Sequence, residues 1–158
     1  MAILPAALAC ITILLMAKCQ RWPGHFSSAV GQIVNFLGTL QNEWAGAQAF
    51  SSFDTYMAPF VRLDSMTYTQ VLQCMQELIF NLNVPSRWGT QTPFTNLTFD
   101  WTCPDDLADE HPLMGDELCD FTYGDLAPEM AVINRAFMEI MTAGDAEGRV
   151  FKIGRAHV

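Results

Sequence analysis

From Phe26 onward, apolar side chains recur at alternating steps of four and three: Phe26, Val30, Ile33, Leu37, Leu40, Trp44 and Ala47. That spacing lays them on one stripe of an α-helix and predicts a helix over Phe26–Ala47. Gln32, Asn35, Asn42 and Glu43 fall off the stripe. Gly38 and Gly46 interrupt it, each at about 1 kcal/mol against Ala, so they suggest close approach of a neighbouring backbone. Ser51, Ser52 and Asp54 offer N-cap oxygens to a short helix that should stop near Pro59. Thr67 can cap the next one. Tyr68, Val71, Leu72, Met75, Leu78, Ile79 and Leu82 come at helical spacing and predict a helix over Tyr68–Asn83, which Pro85 ends.

After Gly89 the period drops to two. Thr95, Leu97, Phe99 and Trp101 alternate with Phe94, Asn96, Thr98 and Asp100, which predicts a strand within Thr92–Trp101 with one largely polar face. Between Asp105 and Asp125 lie eight carboxylates and no Lys or Arg, the pattern of a solvated acidic loop. A last helix begins with Pro128 in its first turn. Its apolar face carries Met130, Ile133, Phe137, Ile140 and Met141, and Gly144 is placed to end it. No internal repeat is visible.

Composition narrows the function classes. Charged residues are only 16% of the chain and hydrophobic ones 51%, which excludes wholesale disorder and suits a piece from the interior of something larger. The net charge of -9 repels a phosphate backbone, so a nucleic-acid polymer is not an expected partner. The five cysteines, Cys10, Cys19, Cys74, Cys103 and Cys119, form no CxxC pair and have no His at zinc-ligand spacing. Their odd number and scatter point to a reducing, cytoplasmic setting and to structural thiols. His25 and His111 stand alone beside Gly or Pro and read as loop histidines. Ala2–Ala17 is apolar but lacks the basic n-region of a signal peptide, and it is short against the ~20 residues of a membrane span, so no membrane partner is expected.

Two blocks carry a resemblance. NFLGTLQNEWAGAQAFSSFDTYMAPFVR (Asn35–Arg62) and FNLNVPSRWGTQTPFTNLTFDW (Phe80–Trp101) resemble the middle of the large catalytic subunit of anaerobic, glycyl-radical (class III) ribonucleoside-triphosphate reductases. The later YGDLAPEMAVINRAFMEIMTAGDAEGRVF is similar to the next stretch of that subunit, so the resemblance runs from about His25 to Phe151. It implies an α/β fold, a slice of a ten-stranded α/β barrel shared with pyruvate formate-lyase and mostly helical here. It implies a parent that reduces ribonucleoside triphosphates to deoxyribonucleotides in the cytoplasm. There a glycyl radical generates a cysteine thiyl radical that takes the ribose 3′ hydrogen, with formate or a dithiol as reductant. Also implied are a structural zinc, an ATP-binding module and dNTP effectors, a homodimer, and an iron–sulfur activase that uses S-adenosylmethionine.

None of that radical chemistry maps onto this chain. No Gly lies between Cys and Tyr in a glycyl-radical motif, and the four-Cys zinc set is absent. The thiyl cysteine would follow Phe151 and its partner cysteine would precede His25. No catalytic residue is therefore assigned, and the fragment is expected to be inactive in isolation. The candidate substrate-binding residues are Arg87, Gln91, Thr92 and Asn96, on or beside the strand whose polar face would line a barrel lumen. A cation such as Arg87 suits a triphosphate.

The ends depart from the resemblance. Residues 1–24 do not match it and read as a non-native or mis-framed apolar segment. Lys152–Val158, KIGRAHV, is what aag atc gga aga gca cac gtc encodes, a common sequencing-adapter sequence, and it has neither periodicity nor cap. Two other readings remain: a membrane-tethered interaction module built on the apolar N-terminus, and a fragment of a pyruvate formate-lyase-like glycyl-radical enzyme. LQNEWAGAQAF is similar to the reductases and argues against the latter.

Overall fold

A computed structural model describes residues 24–43, 48–83, 95–114, 117–144 and 150–151. The elements, in chain order, are helix α1 (Phe26–Glu43), strand β1 (Gln48–Phe50), helix α2 (Phe53–Leu63), helix α3 (Tyr68–Asn83) and strand β2 (Thr95–Leu97). Next come strands β3 (Leu113–Met114) and β4 (Glu117–Leu118), a 3-10 turn (Tyr123–Leu126) and helix α4 (Ala127–Ala143). Trp44, Gly46, Ala47 and Pro85 lie outside the described residues, as do Arg87, Gln91 and Thr92, Cys10 and Cys19, and the two end segments Ala2–Ala17 and Lys152–Val158.

The α1 stripe is buried where the spacing puts it: Phe26, Val30, Ile33 and Leu37 face the core. The helix begins under a distant carboxylate. Phe26 N donates to Asp64 Oδ2 at 2.9 Å, and His25 Nδ1 meets Asp64 Oδ1 at 2.8 Å. His25 is thus tied into an N-terminal cap rather than idle. Asp64 also ends α2. Beyond it, Ser65 N donates to Arg62 O and Met66 N to Val61 O. Ser65 makes this closure in the left-handed region (φ 47°), a position that helix ends usually give to glycine. For α3 the cap is a side-chain pair. Thr67 N and Thr67 Oγ1 both donate to Gln70 Oε1, each at 2.8 Å.

Helix α2 departs from expectation twice. It does not stop near Pro59 but runs through it to Leu63. A proline inside a helix costs about 3 kcal/mol. Met57, Ala58, Phe60 and Val61 are buried on both sides of it, and at about 1.5–3 kcal/mol for each large side chain their burial outweighs that loss. Nor do the expected N-cap oxygens cap: Ser52 is left-handed and makes no side-chain cap bond. Its hydroxyl and the Asp54 carboxylate turn instead toward the end of β2.

Strands β1 and β2 pair in parallel, with Gln48 opposite Thr95, Ala49 opposite Asn96 and Phe50 opposite Leu97. The ladder extends one step past the strands, through Thr98 N to Phe50 O and Phe53 N to Thr98 O. The period-two pattern holds from Thr95 to Asp100: Thr95, Leu97 and Phe99 are buried, Asn96, Thr98 and Asp100 half-buried. Trp101 breaks it. Its backbone is left-handed (φ 64°), and the ring leaves the core, 43% exposed, instead of following Phe99 inward.

Helix α4 packs on α2 and α3, and α1 on α3, over the inner face of β2. Phe99 stacks obliquely between Phe53 (5.7 Å between centroids) and Phe137 (4.4 Å). Gly144 ends α4, its N–H bonded to Ile140 O, as the pattern predicts. The acidic stretch is solvated but not formless. Its described carboxylates are exposed. Meanwhile β3 pairs antiparallel with β4, Tyr123 N donates to Glu110 O, and Gly124 N to Ala108 O. His111 Nδ1 lies 3.0 Å from the carbonyls of both Cys119 and Phe121, so it donates to them and braces the loop. No described helix is long and apolar enough to cross a membrane.

Candidate functional site

Parallel strands end on the same side, and in open α/β sheets ligands gather outside those carboxyl ends. Here the carboxyl ends of β1 and β2 carry a polar cluster from three elements. Ser52 N donates to Thr98 Oγ1 at 3.1 Å. Ser52 Oγ donates to Asp100 Oδ1 (3.2 Å) and Thr55 Oγ1 to Asp100 Oδ2 (2.6 Å). Beneath them lies Asp54, with 0% of its surface exposed. Its Oδ1 accepts from Asp100 N at 2.9 Å. Its Oδ2 accepts from Trp101 N at 2.9 Å and from Asn134 Nδ2 of α4 at 2.8 Å.

A buried carboxylate is tolerated only when donors replace the lost water. Three N–H groups do so here. Two of them belong to consecutive residues whose backbone, with Trp101 left-handed, forms a concave nest for an anion. Asp54 therefore ties α2 to the end of β2 and to α4. Its role is architectural, and it fixes the backbone at Asp100 and Trp101, where β2 ends.

Of the candidate substrate-binding residues, Asn96 is described and Arg87, Gln91 and Thr92 are not. Asn96 is half-buried at the middle of β2, and its Oδ1 is buried without a hydrogen-bond partner. The hydrophobic pattern does not reveal Asp54 and Asn134 as members of the cluster. Asp54 looks like an N-cap, and Asn134 is signalled only as a polar residue between Ile133 and Ala136 on a buried face.

Other polar groups are committed elsewhere. Arg62 spends its fork on Glu129, with Nε to Oε1 at 2.8 Å and Nη2 to Oε2 at 3.1 Å, and its Nη2 also donates to Asp125 O. The pair raises the Arg62 pKa, chiefly through the Glu129 hydrogen bond. Arg135 lies over the Tyr68 ring at 4.8 Å, and Tyr68 donates to Glu139. Burial pushes the thiols of Cys74, Cys103 and Cys119 up, so none is a ready thiolate at neutral pH. Among the described residues no three His, Cys, Asp or Glu side chains gather where they could hold a metal.

A family model described as anaerobic ribonucleoside-triphosphate reductase matches residues 14–153. Solved structures of the anaerobic ribonucleotide reductase from Thermotoga maritima share the fold. The one in complex with dATP and CTP is 21% identical over 74% of this chain, with a TM-score of 0.60. The one with MES in the active site is 21% identical over 74%, at 0.58. The one with dATP bound in the specificity site is 23% identical over 74%, at 0.56. This chain covers 20%, 20% and 21% of them, so it spans about a fifth of their length. No curated protein matches it. With the family model running from residue 14 to residue 153 of 158, the chain belongs to the anaerobic ribonucleoside-triphosphate reductases.

Proposed function

We propose that this chain is a slice of the catalytic barrel of an anaerobic ribonucleoside-triphosphate reductase, and that it contributes a wall of the substrate cavity without carrying the radical chemistry. The observation that carries the reading is the parallel β1–β2 pair. Helices cover one face of it, and the other face presents Asn96, Thr98 and Asp100. Parallel strands occur almost only in sheets covered on both sides, so a two-stranded piece is read as part of a larger sheet, here the ten-stranded barrel. In that setting Arg87, Gln91, Thr92 and Asn96 are the residues assigned to the substrate, and the cation of Arg87 suits its triphosphate. The glycyl radical, borne by another part of the parent, supplies hydrogen-atom abstraction. This chain's residues position and desolvate. The parent is a cytoplasmic homodimer, activated by an iron–sulfur S-adenosylmethionine enzyme, regulated by ATP and dNTPs, and reduced by formate or a dithiol.

The test is an anaerobic assay with activase, S-adenosylmethionine, formate and ribonucleoside triphosphate. The chain alone should form no deoxyribonucleotide, and the full-length subunit encoded at the same locus should form it. Turnover by the chain alone, or none by the full-length subunit, would sink the reading. Resequencing that locus also tests the proposal that residues 1–24 and 152–158 are not native, most sharply at 14–24 and 152–153, which the family match includes. A genomic frame encoding KIGRAHV overturns it for the latter segment.

A further inference from the structure

Two buried oxygens among the described residues have no donor: Asn134 Oδ1 and Asn96 Oδ1. An acceptor taken out of water with nothing in return weakens the fold, so each needs a reason. Asn134 has one. It is 3% exposed in the helical core, and its Nδ2 is engaged by Asp54. Asn96 has no such duty, for it stands on the sheet face away from that core. Its neighbours on the same strand face are occupied, Thr98 with Ser52, and Asp100 with Ser52 and Thr55. Its cross-strand partner, Ala49, is small and exposed and offers no side-chain donor to the amide.

We propose that Asn96 Oδ1 accepts a hydrogen bond from a ribose hydroxyl of the nucleotide substrate, an assignment that rests on the cavity-wall reading above. The chemistry of the oxygen selects the group. An acceptor requires a donor, and the phosphate oxygens of a nucleoside triphosphate are acceptors at neutral pH. Base edges offer donors, but different ones in each base. The donors common to every ribonucleoside triphosphate are the 2′ and 3′ hydroxyls. Asn96 therefore reads the sugar, and a site that hydrogen-bonds a hydroxyl rejects the analogue lacking it because its own polar atom is then stranded.

The experiment uses the full-length subunit under anaerobic conditions without activase. Equilibrium dialysis gives dissociation constants for CTP and for two analogues in which fluorine replaces the 2′ or the 3′ hydroxyl. The unsubstituted protein should bind CTP roughly tenfold more tightly than one of the analogues, the worth of one hydrogen bond. Asn96→Leu should erase that preference. Asn96→Asp, which keeps an acceptor oxygen in the same place, should retain it. The inference is overturned if Asn96→Leu keeps the preference, or if both substitutions weaken CTP and the analogues equally, as a merely structural role would. If the unsubstituted protein binds no CTP, the cavity-wall reading falls and takes this inference with it. CTP binding that is indifferent to Asn96 overturns the inference alone.

Discussion

Ser65 and Gly124 show how much single backbone positions matter here. Ser65 closes α2 in the left-handed region, where an L side chain costs about 1–2 kcal/mol. Glycine relieves that but loses more entropy on folding, about 0.5–1 kcal/mol. Ser65→Gly should therefore stabilise the chain by roughly 0.5–1 kcal/mol, read as a raised urea midpoint at unchanged slope. Gly124 is the opposite case. A Cβ there would meet the Ala108 carbonyl oxygen at 2.8 Å, and both partners are backbone. Gly124→Ala should cost about 1–3 kcal/mol and loosen the acidic loop, read as faster exchange of the Tyr123 and Gly124 amides. Neither position is legible in the sequence, since a serine before Met66 and a glycine after Tyr123 look like ordinary loop residues. Asp54 is visible there but points to the wrong role. An acidic residue at the start of a helix is ordinarily a cap, and its true donors lie 46, 47 and 80 residues away.

At the scale of elements the long amphipathic helices are the most legible, because burial of one face fixes their period. The α3 bounds Tyr68–Asn83 agree with that period residue for residue. Pro59 misleads because its local cost is smaller than the burial of the side chains around it. The 3-10 turn before α4 leaves no periodic trace, for it rests on one capping box: Thr122 N and Oγ1 both donate to Asp125 Oδ2 at 3.0 Å. Those bonds, the backbone one first, hold the Asp125 carboxyl below its ordinary value. A depressed folded pKa contributes stability above the unfolded value of about 3.9, which is lost as pH falls through the folded one. The turn should thus persist at pH 5 and open in stronger acid, seen as the Thr122 amide resonance moving toward its unfolded position. A Thr122 amide that shifts instead around pH 5 to 6 would contradict the capping assignment. Asp54→Ala leaves three donors without their acceptor, one buried (Asn134 Nδ2) and two part-buried, and should cost about 2–3 kcal/mol, with the amides of Asp100 and Trp101 losing protection first.

For the whole molecule, the three tyrosines give a common readout. Tyr56 and Tyr123 are held protonated chiefly by burial, Tyr68 chiefly by its hydrogen bond to Glu139, and all three stand above the ordinary phenol value. A raised folded pKa contributes stability that is present below the unfolded value of about 10 and is lost as pH rises beyond it. An alkaline absorbance titration should show less phenolate at pH 10 than three free phenols would, with Tyr123, the most deeply packed, ionising last. A tyrosine ionising independently near 10 would refute the packing around it. The parallel pairing of β1 with β2 is not legible in periodicity, because alternation along one strand does not say which strand it pairs with. The separation of Asp54 from its donors also orders events in time. On a ribosome adding about 5–20 residues per second, α2 emerges roughly 4–16 s before Asn134 does. Through that interval the Asp54 carboxylate lacks its donor from α4, and the apolar side of α2 is the surface a chaperone would meet.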